Sequence, residues 1–460
     1  MTAPAERDPQ APIFVVGGGP SGLAAAYRLQ EAGRRPVVLE AEDSPGGKIR
    51  TRTENGFVVE AGASILPSAY RNVLGIVRDA GLEGELVPGG SVVGFARDGT
   101  IHYLDSARLF SDAARTRLLS WRAKLSMAKL MVDNRRIRRH LSYEDLSAAA
   151  AFDTETAEEY CRRRRVDRDV YDYVVDATLR GLLGTRGDVV SKVDFFFSFN
   201  NVIGTKLYGF RGGMSTYAER LAEKLDVRTG ARVREVVDTG HGVEVTWAGA
   251  DGRDRTEVGA GCVVAVWGTQ VPELLPQLDP AAAGFLRRLR YTTSVNLNVA
   301  LSRPPAGNPA FVIQVPRSVD EGLFGITLEH NKAPGRVPDG KGLLGVYTMS
   351  DWAETLMDED DDTVVTKVMD ATERVLPGVS GDVDFVRVNR WYPVIVYSRP
   401  GLYRELGEFN ALRPRGGRVH LAGDYFSCSN LNTATAAGER AARELLAVLG
   451  GLISRSAQPL

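Results

Sequence analysis

Between residues 13 and 40 the chain passes through strand, glycine turn, helix and second strand, each piece constraining the next. Residues 13–16 are a β-branched and aromatic run suited to a buried strand. Gly17, Gly19 and Gly22 then fill a G-x-G-x-x-G frame. The first glycine permits the tight turn, the second admits a diphosphate to the backbone, and the third lets the next helix pack on the strand. Residues 23–32 are Ala- and Leu-rich with no breaker, so they propagate as a helix that Gly33 suits at its C-terminal end. The N-terminus of that helix offers unpaired N–H groups and a positive dipole end to a phosphate. Residues 36–39 form the second strand, and Glu40 closes it 18 residues past Gly22. A carboxylate there accepts hydrogen bonds from two ribose hydroxyls and repels a 2′-phosphate. An α/β fold with a Rossmann-like dinucleotide site is expected.

A chain of 460 residues suits two closely connected domains. Its 43% hydrophobic and 25% charged residues are those of an ordinary soluble protein, and a net charge of -1 provides no global field toward nucleic acid. Cys161, Cys262 and Cys428 are too few and too far apart for a disulfide framework or metal cluster, which fits a reducing cytoplasm. With five scattered histidines, no metal site is expected. The first twelve residues read as a polar, Pro-rich tail without the marks of a signal peptide, and no apolar run approaches a membrane span.

Further along, Gly46, Gly47 and Lys48 make a second turn whose amides and cation suit another phosphate. Residues 419–422 form a short strand ended by Gly423 and Asp424, and a small-residue segment runs into a helix from about Thr433. An acid at a strand end binds a ribityl or ribose hydroxyl, and amides at a helix start hold negative charge on a ring. The blocks VVGGGPSGLAAAYRL, VVLEAEDSPGGKIRT, GFRGGMSTYAERLAEKL, GARVREVV, GCVVAVWGT and HLAGDYF…ATAAGERAAREL follow in this order over nearly the whole chain. In them the sequence resembles the flavin-containing amine oxidoreductase superfamily, which includes protoporphyrinogen oxidases, carotenoid desaturases and monoamine-oxidase-like enzymes. In LRGLLGTRGDVVSKVDFFF and YTTSVNLNVALSRP it is most similar to protoporphyrinogen oxidases.

The resemblance implies FAD rather than NAD, and an FAD-binding domain of the glutathione-reductase type. Residues 1–85, 205–285 and 405–460 would build it; 86–204 and 286–404 would form an inserted α+β substrate domain, with 105–200 as a helical cap. Gly17, Gly19 and Gly22 resemble the diphosphate-binding glycines and Glu40 the ribose ligand. Gly47 and Lys48 match the family's turn near the diphosphate and ribityl chain. The backbone of Val233 matches the position that meets the adenine, and Gly423 with Asp424 the one that meets the ribityl-phosphate part. The amides of Asn432 and Thr433 lie where the family's helix start faces the pyrimidine edge of the flavin. A covalent flavinyl-cysteine would fall near Pro393, so noncovalent FAD is implied, and Cys428 reads as a packing residue.

For the substrate side, Phe195, Phe196, Phe197 and Phe199 form either an aromatic pocket wall or core packing. The basic stretch from Arg122 to Arg139, with Trp121, Leu130 and Met131 interleaved, is either a solvated face or a peripheral membrane contact. The RRRR run at 162–165 reads as a surface face. Amine-oxidising relatives place a lysine near the flavin where Asn296 stands, and two aromatic rings where Val394 and Asn430 stand; Tyr392, Tyr397 and Tyr425 lie close by in sequence. No protein acid or base stands out. The expected activity is oxidation or desaturation of C–H bonds in a bulky, largely apolar small molecule. An amine or amino-acid oxidase and a redox-neutral flavin-dependent isomerase or mutase are the alternatives. A cytoplasmic protein is expected.

Overall fold

The computed structural model describes residues 11–413 and 416–456, so most of the expected N-terminal tail lies outside the described residues. A five-stranded sheet, parallel throughout, runs in the order Asp226–Arg228, Arg35–Leu39, Pro12–Val16, Gly261–Val264, Val419–Leu421. Ile13, Phe14 and Val15 are wholly buried, as in a parallel sheet covered on both faces. One face is covered by the helices Pro20–Glu31 and Leu431–Ser456, whose small residues Ala25, Ala26, Ala441 and Ala442 share a core with Val15. These helices nearly touch: a Cβ at Gly438 would come 2.0 Å from the Ser21 carbonyl oxygen. On the other face lies an antiparallel sheet of Arg232–Asp238, Val243–Ala248 and Asp254–Gly259, with Trp247 tilted against Phe14 at 6.0 Å.

A second, seven-stranded sheet has the order Val383–Trp391, Ser294–Leu301, Gly342–Thr348, Leu323–Leu328, Val312–Gln314, Val92–Arg97, Thr100–Asp105. Its strands pair antiparallel except Val312–Gln314 with Val92–Arg97. Period-two alternation sorts its two faces. Val295, Leu297, Val299, Leu344 and Val346 join Val364 and Val368 of the helix Asp361–Val375 in an apolar core. Asn296 and Asn298 point the other way, where their amides donate to the backbone carbonyls of Ala61 and Glu60. That polar face is therefore turned toward Glu60 and Ala61.

Helices fill most of residues 109–202, among them Trp121–Ile137, Ala157–Arg163 and Lys192–Val202. The last carries the phenylalanine run, and here the pocket-wall expectation is corrected. Phe195, Phe196, Phe197 and Phe199 are 0–3% exposed. Phe195 packs on Phe196 and Phe199 with ring centres 5.0 and 5.3 Å apart; Phe196 meets Tyr160, and Phe197 meets Tyr143 at 5.1 Å. The helix is buried on nearly every side, its polar Asp194, Ser198 and Asn201 included, so these rings are core.

Candidate active site

The glycine loop is shaped by what its backbone must avoid. Gly17 has φ +100°, and a Cβ there would meet the Ala265 carbonyl oxygen at 2.6 Å. At Gly22 it would meet the Gly17 oxygen at 1.9 Å, the close helix–strand contact that the third glycine permits. A Cβ at Gly19 would meet only the Gly47 Cα, at 4.0 Å, so this side of the loop is the open approach. The helix that begins here has Pro20 in its first turn, no side-chain cap and no acidic residue to match its dipole. Its amides lack an internal anion.

Glu40 is buried. It accepts the Gly18 N–H at 2.6 Å and the Glu42 N–H at 2.9 Å, one on each carboxylate oxygen. Its carbonyl takes the Ala231 N–H at 2.8 Å, which sets the strand of Val233 beside it. The Gly46 N–H donates to the Gly18 carbonyl at 2.9 Å and joins the second glycine turn to the first. An uncapped helix start, an open approach at Gly19 and a carboxylate fixed at the strand end fit the adenosine diphosphate half of FAD.

The far half of the site is assembled differently. The Lys48 ammonium donates to Asp424 Oδ2 at 2.7 Å and to the Val394 carbonyl, and lies 4.3 Å above the Trp267 ring. The Lys48 charge is thus matched within the chain by Asp424. The chain crossing at Gly62 sets its direction, since a Cβ there would come 2.0 Å from the Lys48 carbonyl oxygen. Gly423 is needed because a Cβ would run into the Tyr425 ring at 2.4 Å.

At the start of the helix Leu431–Ser456, Asn430 Oδ1 accepts the Thr433 N–H at 2.8 Å and caps the helix. The Thr433 amide is thus taken. The Leu431 and Asn432 N–H groups have no acceptor in the chain among the described residues. The Asn432 side chain accepts the Asn72 and Val73 amides at 2.9 and 3.1 Å, at the start of the helix Arg71–Asp79.

Across from these segments, Asn296 accepts the Asn389 amide at 2.9 Å, and Trp391 Nε1 donates to the Ala61 carbonyl at 2.6 Å. Ser64 Oγ lies 3.4 Å from the Tyr347 hydroxyl, and Phe324 stacks on Tyr347 with ring centres 5.6 Å apart. Ser64, Phe324, Tyr347 and Trp391 escaped the sequence reading as site residues. Alternation in the strand Gly342–Thr348 was the available signal: Tyr347 falls opposite the core-facing Leu344 and Val346. Tyr425 is buried against Phe426 at 4.7 Å, and burial raises its hydroxyl well above the ordinary tyrosine range. Tyr392, by contrast, is 65% exposed, which removes it from any enclosed pocket. Among the described residues no cluster of three or more His, Cys, Asp or Glu is placed to bind a metal.

The description flavin containing amine oxidoreductase matches residues 20–446. The chain belongs to this family. It is an FAD-dependent oxidoreductase. A coproporphyrinogen III oxidase of Bacillus subtilis is 23% identical to it over 95% of this chain and 98% of its own. Putrescine oxidase, solved bound to putrescine, shares the fold with a TM-score of 0.77 at 18% identity, covering 95% of this chain and 99% of its own. A fatty acid isomerase from P. acnes shares it with a TM-score of 0.70 at 16% identity, over 98% and 100% of the two chains.

Proposed function

We propose that this flavoenzyme oxidises C–H bonds of a bulky, largely apolar cyclic molecule of the porphyrinogen class. Residues 1–85, 205–285 and 405–460 would hold noncovalent FAD, and 86–204 and 286–404 the substrate. The observation that carries the reading is the polar face of the sheet at Ala61 and Ser64. It presents the rings of Phe324, Tyr347 and Trp391 and the neutral amides of Asn296 and Asn389. Asn296, tied to Ala61 and Asn389, has no ammonium to offer, and Val394 and Asn430 provide no pair of rings for an amine nitrogen. A relative that aligns along nearly the whole chain is a coproporphyrinogen III oxidase, which supports the same substrate class.

Bound FAD supplies a hydride acceptor at N5, so the protein's task is to bind, orient and exclude water. Gly19 and the uncapped helix start receive the diphosphate, Glu40 the ribose, and the Asn432 N–H the pyrimidine edge. The Lys48–Asp424 pair fixes the segments that flank the ring. Pro393, standing where a flavinyl-cysteine would fall, supports a noncovalent link, and all three cysteines are buried, with Cys428 Sγ 3.9 Å from Ser198 Oγ.

Anaerobic mixing of the purified holoenzyme with coproporphyrinogen, protoporphyrinogen and a panel of primary, secondary and amino-acid amines tests this. Flavin bleaching is expected with a porphyrinogen and not with the amines. Bleaching by a simple amine would overturn the proposal in favour of an amine oxidase, and turnover that requires prior flavin reduction in favour of an isomerase.

A further inference from the structure

Among the described residues eight large hydrophobic side chains are exposed, and four of them, Trp121, Leu125, Met131 and Val132, stand on the single helix Trp121–Ile137. The helix is capped by Ser120, which accepts the Ala123 N–H at 3.1 Å. Its inner face is Ala123, Ser126, Leu130, Asn134 and Ile137. Ser126 there accepts the Asp167 N–H at 2.9 Å, and Asn134 exchanges amide hydrogen bonds with Asn200 at 3.0 and 2.8 Å. On the opposite side Trp121, Leu125, Ala128 and Val132 recur at i, i+4, i+7 and i+11, a straight apolar stripe with Trp121 67%, Leu125 66% and Val132 51% exposed. A helix facing only water puts its polar residues outward and its apolar ones inward. This one turns serine and asparagine in, and tryptophan, leucine and valine out.

The charges beside the stripe say what covers it. Arg122, Lys129 and Arg136 flank it on one side and Lys124 and Arg135 on the other, and Arg138 and Arg139 continue the series. From 121 to 139 there are seven basic residues and one acid, Asp133, which Arg164 already pairs at 2.7 Å. No acid among the described residues pairs with Arg122, Arg135, Arg136, Arg138 or Arg139. Lys129 donates to the Arg165 carbonyl at 2.5 Å; in the neighbouring run 162–165, Arg162, Arg163 and Arg164 are matched by Glu158, Glu155 and Asp133 and add no net charge to the face. A second copy of this face would bring the same positive charge against itself. An apolar stripe flanked by Arg122, Arg135 and Arg136, none paired with an acid among the described residues, is matched by hydrocarbon beneath anionic headgroups.

We propose that the helix Trp121–Ile137 lies on an anionic lipid surface, its stripe from Trp121 to Val132 in the headgroup–acyl boundary and its arginines on lipid phosphates. The inference does not depend on the substrate class proposed above.

The test is co-sedimentation of the holoenzyme with phosphatidylcholine vesicles and with vesicles of phosphatidylcholine and phosphatidylglycerol, at low and high salt. Binding is expected only to the mixed vesicles, weakening as salt rises. Trp121→Ser with Leu125→Ser should abolish it, while flavin content and thermal midpoint stay unchanged, because these side chains support nothing inside. Arg135→Gln and Arg136→Gln should each weaken it about fivefold. Absence of binding to anionic vesicles at low salt, or equal binding by Trp121→Ser/Leu125→Ser, would overturn the proposal. A dimer in size-exclusion chromatography that the same double substitution dissolves would overturn it in favour of a second copy.

Discussion

At the glycine-loop end of the candidate cofactor site backbone atoms do most of the shaping, and Gly18 and Glu40, 22 positions apart, meet within one βαβ unit. At the Lys48 end the partners converge from distant parts of the chain, with 376 positions between Lys48 and Asp424 and 346 between Lys48 and Val394. At Gly17 and Gly22 the first end has no room for an added atom, because the atoms it would meet are backbone oxygens. The second is held by side-chain pairs, which lose stability gradually when truncated. Both ends meet distant segments, the first through backbone contacts such as Gly17 with Ala265 and the second through side-chain pairs.

The sharpest way to break the comparison is Gly22→Ala. Its Cβ would fall 1.9 Å from the Gly17 oxygen. Backbone must move, at a cost of about 3 kcal/mol or more. Loss of flavin from the purified protein and a lower thermal midpoint are expected together; full flavin occupancy would show that the loop is not the diphosphate site. Glu40→Ala comes next. It leaves the Gly18 and Glu42 amides without their acceptor and removes the ribose ligand, at about 2 kcal/mol, read as weaker FAD affinity in equilibrium dialysis. Lys48→Met and Asp424→Asn should each cost less, because the pair is partly exposed. A double-mutant cycle on FAD affinity should return a coupling of about 1 kcal/mol, whereas strict additivity would mean that the pair contributes nothing.

The smallest effect concerns a carboxyl behind the Lys48 end. Asp194 is buried, accepts the Tyr403 hydroxyl, and stands close to Cys428, whose carbonyl takes the Thr433 hydroxyl at 2.8 Å. Burial pushes this carboxyl up to about 7 from an ordinary 3.8. A raised folded-state value means that stability is fully present below the unfolded value and is lost as pH rises toward 7. Asp194→Asn should therefore gain on the wild type at pH 8 relative to pH 5, by roughly 2 °C in thermal midpoint. A gap independent of pH would show that Asp194 does not titrate in this range.

What was legible in the sequence follows the same division. Gly22 and Glu40 make their closest contacts, to Gly17 and Gly18, inside one supersecondary unit, so spacing placed them, whereas the crowding of Gly17 by Ala265 comes from a distant strand end. The Lys48–Asp424 pair, the capping of the C-terminal helix by Asn430 and the stacking of Phe324 on Tyr347 depend on which segments meet, and no local pattern carries that. The phenylalanine run misled for a related reason. Consecutive apolar residues on a helix look like a wall needing a cavity until neighbours such as Tyr143 and Tyr160 close around them. The helix Trp121–Ile137 was ambiguous because its composition was legible and its inward and outward faces were not.

The two ends together imply one site spanning an adenosine diphosphate and a flavin ring, with no bond from the chain to either. Denaturing the purified protein with acid or heat and identifying the released chromophore by mass tests this directly. One intact FAD per chain, all of it in the supernatant, is the expected result. FMN in its place would leave Glu40 and the glycine loop without a ligand, and flavin retained on the precipitated chain would contradict a site closed by hydrogen bonds and packing alone.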